Sequence, residues 1–482
     1  MQLEITEELI ARQTPEAQAI IRLLLAKIQV LEERLNQSPR NSSLPPSSEH
    51  PHAKPLRPQS QAKRKRGGQP GHPKHERPLL PTEQCDDRIA LKPTNCRRCG
   101  TKLSGEDTAP LRHQVWELPE IKPQVIKYQR HRLICRCCGE TTCGDLPPGV
   151  PTGQSGPRLV AFAGLLMAYF RQSKRRTALF LETLLNQPCC PALAVKMQSQ
   201  VTAALRPAYE ELVQQLPTES HLGIDESPTK EAKTKSWLWT FVAGLFTVFA
   251  FRGTRAATVL TELLTDRFVG VVMCDRAKMY WMLGRLQWCW AHLNRDFQAL
   301  ADSKDGVVKR LGHDLLRPTR ELFHQWSRCR DGTITRAEMK ACLLPIRRQV
   351  GGLLLRGWFS GHPRLVGRCR ELYEHRDWLW TFLDHEDVEP TNNASERSLR
   401  HAVIWRKLSF GTQSPGGSRF VETMLTVIET CRQQSRNVFA YVTSAVQMHF
   451  AQQPIPSLLP SSPLKKSLGS STSTAVDKVL SA

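Results

Sequence analysis

Two short apolar runs, each closing on an aspartate, constrain this chain more than any other feature. His221, Leu222, Gly223 and Ile224 lead into Asp225, and Val269 to Cys274 (VGVVMC) leads into Asp275. Both runs are too short for a helix, and the second is rich in β-branched residues, so each reads as a strand that delivers a carboxylate at its end. A third acid, Glu396, lies in TNNASERSLR, where Asn392 or Asn393 caps a helix and places Glu396 within its first turn or so. Taken singly, each acid reads better as a helix cap or a surface charge. Drawn together by folding, the three would form an anionic pocket for a hard divalent cation, Mg2+ or Mn2+. Such a pocket suits phosphoryl transfer at a phosphodiester, where one metal activates water or a hydroxyl and a second stabilises the leaving oxygen.

The segments around these acids alternate in type. KSWLWTFVAGL and FTVFAFRGT read as two more strands, Ala256 to Leu264 as a helix, and LQWCW as a last short strand before a helix through Leu300. That pattern is α/β. Between Asp275 and Glu396 runs a largely helical stretch, about 300–384, expected as an insertion. Cys289 and His292 form a C-x-x-H that reads as packing in the core or beside the acids, because two further ligands at suitable spacing are missing.

Upstream, Cys96-Arg97-Arg98-Cys99 and Cys135-Arg136-Cys137-Cys138 are two knuckles, each followed by glycine (Gly100, Gly139). Glycine lets the backbone bend so that amides face the sulfurs, and four thiolates from Cys96, Cys99, Cys135 and Cys138 suit tetrahedral structural Zn2+. Cys137, Cys143, Cys85 and His113 are alternative ligands, and VWELPEIKPQVIKYQRHRLI between the knuckles reads as strands. Thr14-Pro15-Glu16 starts a helix in which Ile21, Leu24, Ile28, Leu31 and Leu35 follow the spacing of a coiled-coil seam. The seam pairs with another copy or packs on the chain's own body. From Pro157 to Tyr209 three helical segments carry Lys174, Arg175 and Arg176 at a junction, which fits either a helix-turn-helix-like module or a helical connector.

The partner these parts serve is suggested by charge. Lys+Arg 67 against Asp+Glu 45 gives +22, which favours a polyanion, with nucleic acid foremost. Lys63, Arg64, Lys65 and Arg66 form a basic run inside a Ser/Pro/Gly-rich linker and suit phosphate contacts that carry no sequence information. Arg397, Arg400, Arg406, Lys407 and Arg419 follow Glu396, beside a flexible loop marked by Gly411, Gly416 and Gly417; they are placed to hold a DNA backbone if Glu396 binds metal, and are otherwise a solvated surface. No run of about 18 or more apolar residues appears, so a cytoplasmic, nucleoid-associated protein without a membrane partner is expected.

HLGIDES, VMCDRAKMYW, QWCWAHLNRDF, NNASERSLR and AVIWRKLSFGTQSPGGSRF resemble the catalytic core of bacterial insertion-sequence DDE transposases of the "IS sixty-six" family. NSSLPPSS, GGQPGH and the paired knuckles resemble that family's amino-terminal half. The resemblance implies a ribonuclease H-like fold in which the first and fourth strands are neighbours, which would bring Asp225 and Asp275 together. It further implies double-stranded DNA as substrate, both terminal inverted repeats and target, a homo-oligomer, and accessory proteins encoded by the same element. The expected architecture is multidomain: a coiled-coil-like helix (1–37), a basic linker (38–80), a zinc-binding ribbon (81–150), a helical DNA-binding module (151–215), an α/β ribonuclease H-like catalytic domain with a helical insertion (216–450) and a disordered tail (451–482). Expected alongside metal-dependent cleavage and strand transfer are two competing readings: a non-catalytic DNA-binding protein derived from a transposase, and a metal-dependent nuclease without joining activity.

Overall fold

A computed structural model describes residues 7–35, 37–38, 41–42 and 78–459. The Lys63 to Arg66 run, the GGQPGH motif and the part of the expected tail (451–482) beyond Leu459 lie outside the described residues, while the tail's first residues are packed, with Leu458 buried and Ser457 bonded to Glu211. The chain forms two compact units, one from His52–Pro123 and the other from Met1–Pro51 with Gln124–Ala482.

In the larger unit, α1 (Glu7–Ala11) precedes α2 (Pro15–Leu35), whose start is fixed by the Thr14 hydroxyl accepting the Ala17 amide at 3.3 Å. Leu24, Ile28, Leu31 and Leu35 on its seam are all at least half exposed, so the stripe is not packed on the chain's own body. β1 (Arg132–Ile134) and β2 (Thr141–Cys143) form an antiparallel hairpin around the second knuckle. The expected strands from Val115 onward are not found before Arg132. Pro119 and Pro123 lack ladder donors, and Val115, Leu118 and Val125 are exposed, with no sheet to cover them. In the smaller unit the first knuckle sits inside an isolated bridge between Asn95 and Lys102.

Three helices follow: α3 (Pro157–Ala168), α4 (Lys174–Leu185) and α5 (Pro191–Gln215). Ser173 caps α4 by accepting the Arg176 amide, and α5 runs through Pro207 and past the expected end at Tyr209, because Ala208, Tyr209 and Leu212 continue its buried face. Val160, Leu165, Val201 and Leu205 belong to the same core as the sheet that follows.

That sheet contains β3 (His221–Glu231), β4 (Thr234–Val242), β5 (Thr247–Arg252), β6 (Val271–Cys274) and β7 (Leu286–Trp288), with α6 (Thr258–Leu264) between β5 and β6. The order is β5-β4-β3-β6-β7, antiparallel among the first three and parallel from β3 to β6 to β7. With helices packed on it, this mixed sheet fits the α/β class. β3 does not end at Asp225. Its antiparallel pairing with β4 continues to Glu231, whereas its parallel pairing with β6 stops at Gly223↔Met273, so Asp225 stands where the ladder splits. β6 starts at Val271 rather than Val269, which is exposed.

After α7 (Trp290–Ala301) come the insertion helices α8 (Gly306–Arg330), α9 (Arg336–Trp358) and α10 (Pro363–Glu374). The chain then returns through α11 (Asn393–Ser409), α12 (Pro415–Gln433) and α13 (Val438–Phe450). Among the described residues no helix is long and apolar enough to cross a membrane.

The open edge of β5 is closed by side chains of α12. Glu422, Thr426 and Thr430, spaced one turn apart, accept the amides of Phe251 (2.8 Å), Phe249 (2.9 Å) and Thr247 (3.2 Å). A bare strand edge would leave these donors unsatisfied beneath a helix. Thr426→Val keeps the shape and removes the acceptor. It is expected to cost about 1–3 kcal/mol, the usual penalty for an unpaired buried donor. Urea denaturation measures this, and an unchanged free energy would mean that the edge finds another acceptor.

Candidate active site

Asp225 and Asp275 lie on or directly after neighbouring parallel strands, and α11, packed on β3, brings Glu396 within electrostatic reach of Asp225. That approach requires Gly223: a Cβ there would lie 2.4 Å from Ser395 Oγ and 3.2 Å from Asn392 Oδ1. Asn392 was expected as a side-chain cap and does occupy the N-cap position, but its side chain instead donates to the Ile224 carbonyl (2.7 Å), fastening α11 to β3. Its backbone amide donates to Cys289 Sγ (3.2 Å), and the Trp290 amide donates to the Pro390 carbonyl (2.9 Å), fastening the same segment to α7. Glu396 falls in the first turn of α11, as expected.

The acids act on one another electrostatically. Burial pushes the Asp225 carboxyl well above the ordinary aspartate range, and Glu226, Asp275 and Glu396 push it further. Glu396 Oε1 is buried without a hydrogen-bond partner, and Arg295 and His292 come only to 3.6 Å. Carboxylates that hold Asp225 back from ionising, one of them with a buried oxygen free of hydrogen bonds, are a donor set that a divalent cation fits.

Several participants escaped sequence reasoning. Glu226 is almost wholly buried, pairs with Arg255 and accepts the Tyr280 hydroxyl; burial first, then Asp275, raises its carboxyl. Arg255 reaches within 3.9 Å of Asp275 Oδ2. The C-x-x-H packs beside the acids, as expected, and gains a neighbour there. Cys289, His292 and Glu396 each offer one ligand atom, all within 4.8 Å of one another, and this is the group of three that gathers so closely among the described residues. The third ligand comes from a distant helix, so spacing along the chain could not reveal it.

The family profile described as "Transposase IS66 family" matches residues 153–419, more than half of the chain. The chain belongs to this transposase family. A second profile, "zinc-finger binding domain of transposase IS66", matches residues 93–139, and a "Family of unknown function (DUF6444)" matches 3–78. Two relatives come from Sinorhizobium fredii (strain NBRC 101917 / NGR234). "Uncharacterized protein y4hP" is 24% identical over 411 residues, covering 72% of this chain and 69% of that protein. "Uncharacterized protein y4qI" is 26% identical over 236 residues, covering 43% of this chain and 42% of that protein.

In this transposase the basic residues divide by setting. Lys174, Arg175 and Arg176 are exposed in the first turn of α4, and Arg397, Arg400, Lys407 and Arg419 are exposed on α11 and α12. Arg406 is different: its guanidinium donates to Ser227 Oγ (3.2 Å) and to the Pro228 carbonyl, tying α11 to β3. The expected flexible loop is anchored, since Thr412 donates to the Lys230 carbonyl (2.9 Å) and its own carbonyl accepts Ala232 (2.7 Å), while Gly416 and Gly417 begin α12. Gly411, at φ +100°, permits that close approach.

Each zinc-finger knuckle has the local geometry its glycine implies. Gly100 and Gly139 adopt φ of +76° and +75°, and their amides donate to the carbonyls of Cys96 and Cys135 at 2.9 Å. Hydrogen bonds from Thr101, then Cys96, push the Cys99 thiol down to about 7, and the amides of Cys138 and Cys137 lower that of Cys135. Both knuckles therefore favour the thiolate that zinc requires.

The raised Asp225 carboxyl has a measurable consequence. A group whose folded pKa lies above its unfolded value contributes stability below the unfolded pKa and loses it as pH rises through the folded one. Asp225→Asn removes the cost of ionising this buried group. Metal-free Asp225→Asn protein is expected to melt about 2–4 °C above wild type near pH 8, with the gap closing toward about pH 4. Equal melting temperatures across that range would show that Asp225 ionises freely.

Proposed function

We propose that this transposase binds the ends of its insertion sequence and carries out metal-dependent DNA cleavage and strand transfer at Asp225, Asp275 and Glu396. The observation that carries this reading is the convergence of two carboxylates from adjacent parallel strands with one from α11, in a setting that holds Asp225 above its ordinary range. The sheet supports a ribonuclease H-like reading of the domain. Its first strand in chain order, β3, lies at the centre, two antiparallel strands lie to one side, and two parallel strands lie to the other.

Asp225, Asp275 and Glu396 would hold Mg2+ or Mn2+, which when bound lowers the pKa of water or a 3′ hydroxyl and stabilises the leaving oxygen. The residues of the chain do the rest. The carboxylates fix the point at which the scissile phosphate must sit. Arg255, held by Glu226, stands beside Asp275 with its charge available to phosphate oxygens. Arg397, Arg400, Lys407 and Arg419 lie on the surface after Glu396, where they would hold the flanking backbone, and Lys174, Arg175 and Arg176 would contact DNA from α4. Water attacks first, freeing the 3′ ends of the element, and those hydroxyls then attack target DNA, so no covalent enzyme intermediate is needed.

The outlying parts serve binding and assembly in this reading. Cys96, Cys99, Cys135 and Cys138 hold one structural Zn2+, supported by the zinc-finger profile that spans all four and by the geometry of each knuckle. Lys63 to Arg66 act as a non-specific phosphate clamp. The exposed seam of α2 pairs two copies as a coiled coil, supported by its unburied Leu24, Ile28, Leu31 and Leu35. Accessory proteins of the element and a place on the nucleoid complete the proposal.

Purified protein given Mg2+ and DNA carrying the element's terminal repeats tests the central point. Asp225→Asn, Asp275→Asn and Glu396→Gln should each reduce cleavage at least about 100-fold, as loss of a group acting in the transition state does, while DNA affinity stays within about twofold. A variant that cleaves at the wild-type rate removes its residue from the site.

A further inference from the structure

The Cys289, His292 and Glu396 cluster does more than the proposed chemistry asks of it. Cys289 is the N-cap residue of α7 and His292 lies in its first turn, so one helix start delivers a thiol and an imidazole to the same place. Glu396 arrives from α11, and the Asn392 amide on Cys289 Sγ locks the two helix starts together. That hydrogen bond accounts for the burial of the sulfur. It does not account for His292 Nδ1 or Glu396 Oε1, both buried and both without a hydrogen-bond partner, held 3.6 Å apart, with the Arg295 guanidinium also 3.6 Å from that oxygen. Two such atoms facing each other beyond hydrogen-bond range, with a thiol alongside, are poorly satisfied by one another and well satisfied by a cation between them.

The donor set selects the cation. One sulfur, one imidazole nitrogen and one carboxylate oxygen match zinc-class ions, whereas magnesium prefers oxygen alone. We propose that Cys289, His292 and Glu396 form a second metal site, distinct from the knuckles, that takes zinc-class divalent ions and shares Glu396 with the acid cluster. On binding, the Cys289 S–H bond breaks, its proton leaves to solvent, and a sulfur–metal bond forms with no change in oxidation state. Three protein ligands leave a fourth position for water. If Glu396 is catalytic, as argued above, an ion held here draws its carboxylate away from Asp225 and Asp275, so zinc-class ions and magnesium work against each other. Only this last clause rests on the catalytic reading; the site itself does not.

The test uses the full chain with its knuckles loaded with zinc, titrated with Co2+ alone in magnesium-free buffer and followed by visible absorption. Wild type is expected to show, at one added Co2+ per chain, a sulfur-to-cobalt charge-transfer band that Cys289→Ala lacks and that His292→Ala needs at least about tenfold more Co2+ to reach, a band that equimolar Zn2+ abolishes and that Mg2+ weakens only in large excess. Asp275→Asn should keep the band. Because Cys289→Ala opens a buried position, each variant is checked by thermal melting. X-ray absorption of wild type loaded with the added ion gives an independent reading: one sulfur with nitrogen and oxygen neighbours is expected. Equal charge-transfer bands in wild type and the folded variants, or an added ion surrounded only by oxygen or only by sulfur, overturns the proposal. Neither result touches the magnesium-dependent cleavage assay, so failure of this site and failure of the catalytic reading are told apart.

Discussion

The contact on which the rest of the site depends is the close approach of α11 to β3 across Gly223. A strand carrying a side chain at this position would hold the helix away, and the Asn392 amide could not reach the Ile224 carbonyl. Because that contact is made, Glu396 enters the field of Asp225 and Asp275, and the acids from remote parts of the chain become one electrostatic unit. The energetic consequence is unfavourable by itself: burying like charges together costs stability unless a cation joins them. An arrangement that weakens the fold at one point is the signature expected of a site kept for function.

The framework tolerates that local cost because the surrounding structure is held firmly. The Glu422, Thr426 and Thr430 row seals the β5 edge, and Glu422 also accepts Arg206 at 2.7 Å, so one buried carboxylate is satisfied by a strand amide and a cation. On the other side of the sheet, Gln287 on β7 binds the Leu379 carbonyl (3.2 Å) and the Phe382 amide (2.8 Å), docking the end of the helical insertion against the parallel half. The return path to α11 is thereby fixed before Glu396 is reached.

Much of this was legible in the sequence, and the misses have physical reasons. The strands around Asp225 and Asp275 announced themselves because buried strands are continuous apolar runs, and the start of α11 was marked by its asparagines. β3 proved longer than its apolar run because an antiparallel hairpin can continue with polar residues such as Glu226 and Lys230 once β4 is there to pair with them. The segment from Val115 to His131 alternates like a strand, but alternation describes only a potential face, and no partner ladder is present. Arg406 looked like a DNA contact from its charge alone, and only the fold reveals that Ser227 and Pro228 hold it. Glu226, Arg255 and Tyr280 could not be assembled from the sequence, since their relation arises from tertiary structure. The same holds for Glu396 beside Cys289 and His292.

The central claim is that Asp225, Asp275 and Glu396 share one hard-metal centre. It is tested most directly by substituting Fe2+ for Mg2+ and using ascorbate and peroxide to cut the backbone beside the bound ion. The account predicts three cleavage clusters, next to Asp225, Asp275 and Glu396, each suppressed by excess Mg2+. Cuts confined to the Cys289 to His292 and Glu396 segments, or cuts that Mg2+ leaves unchanged, would contradict it.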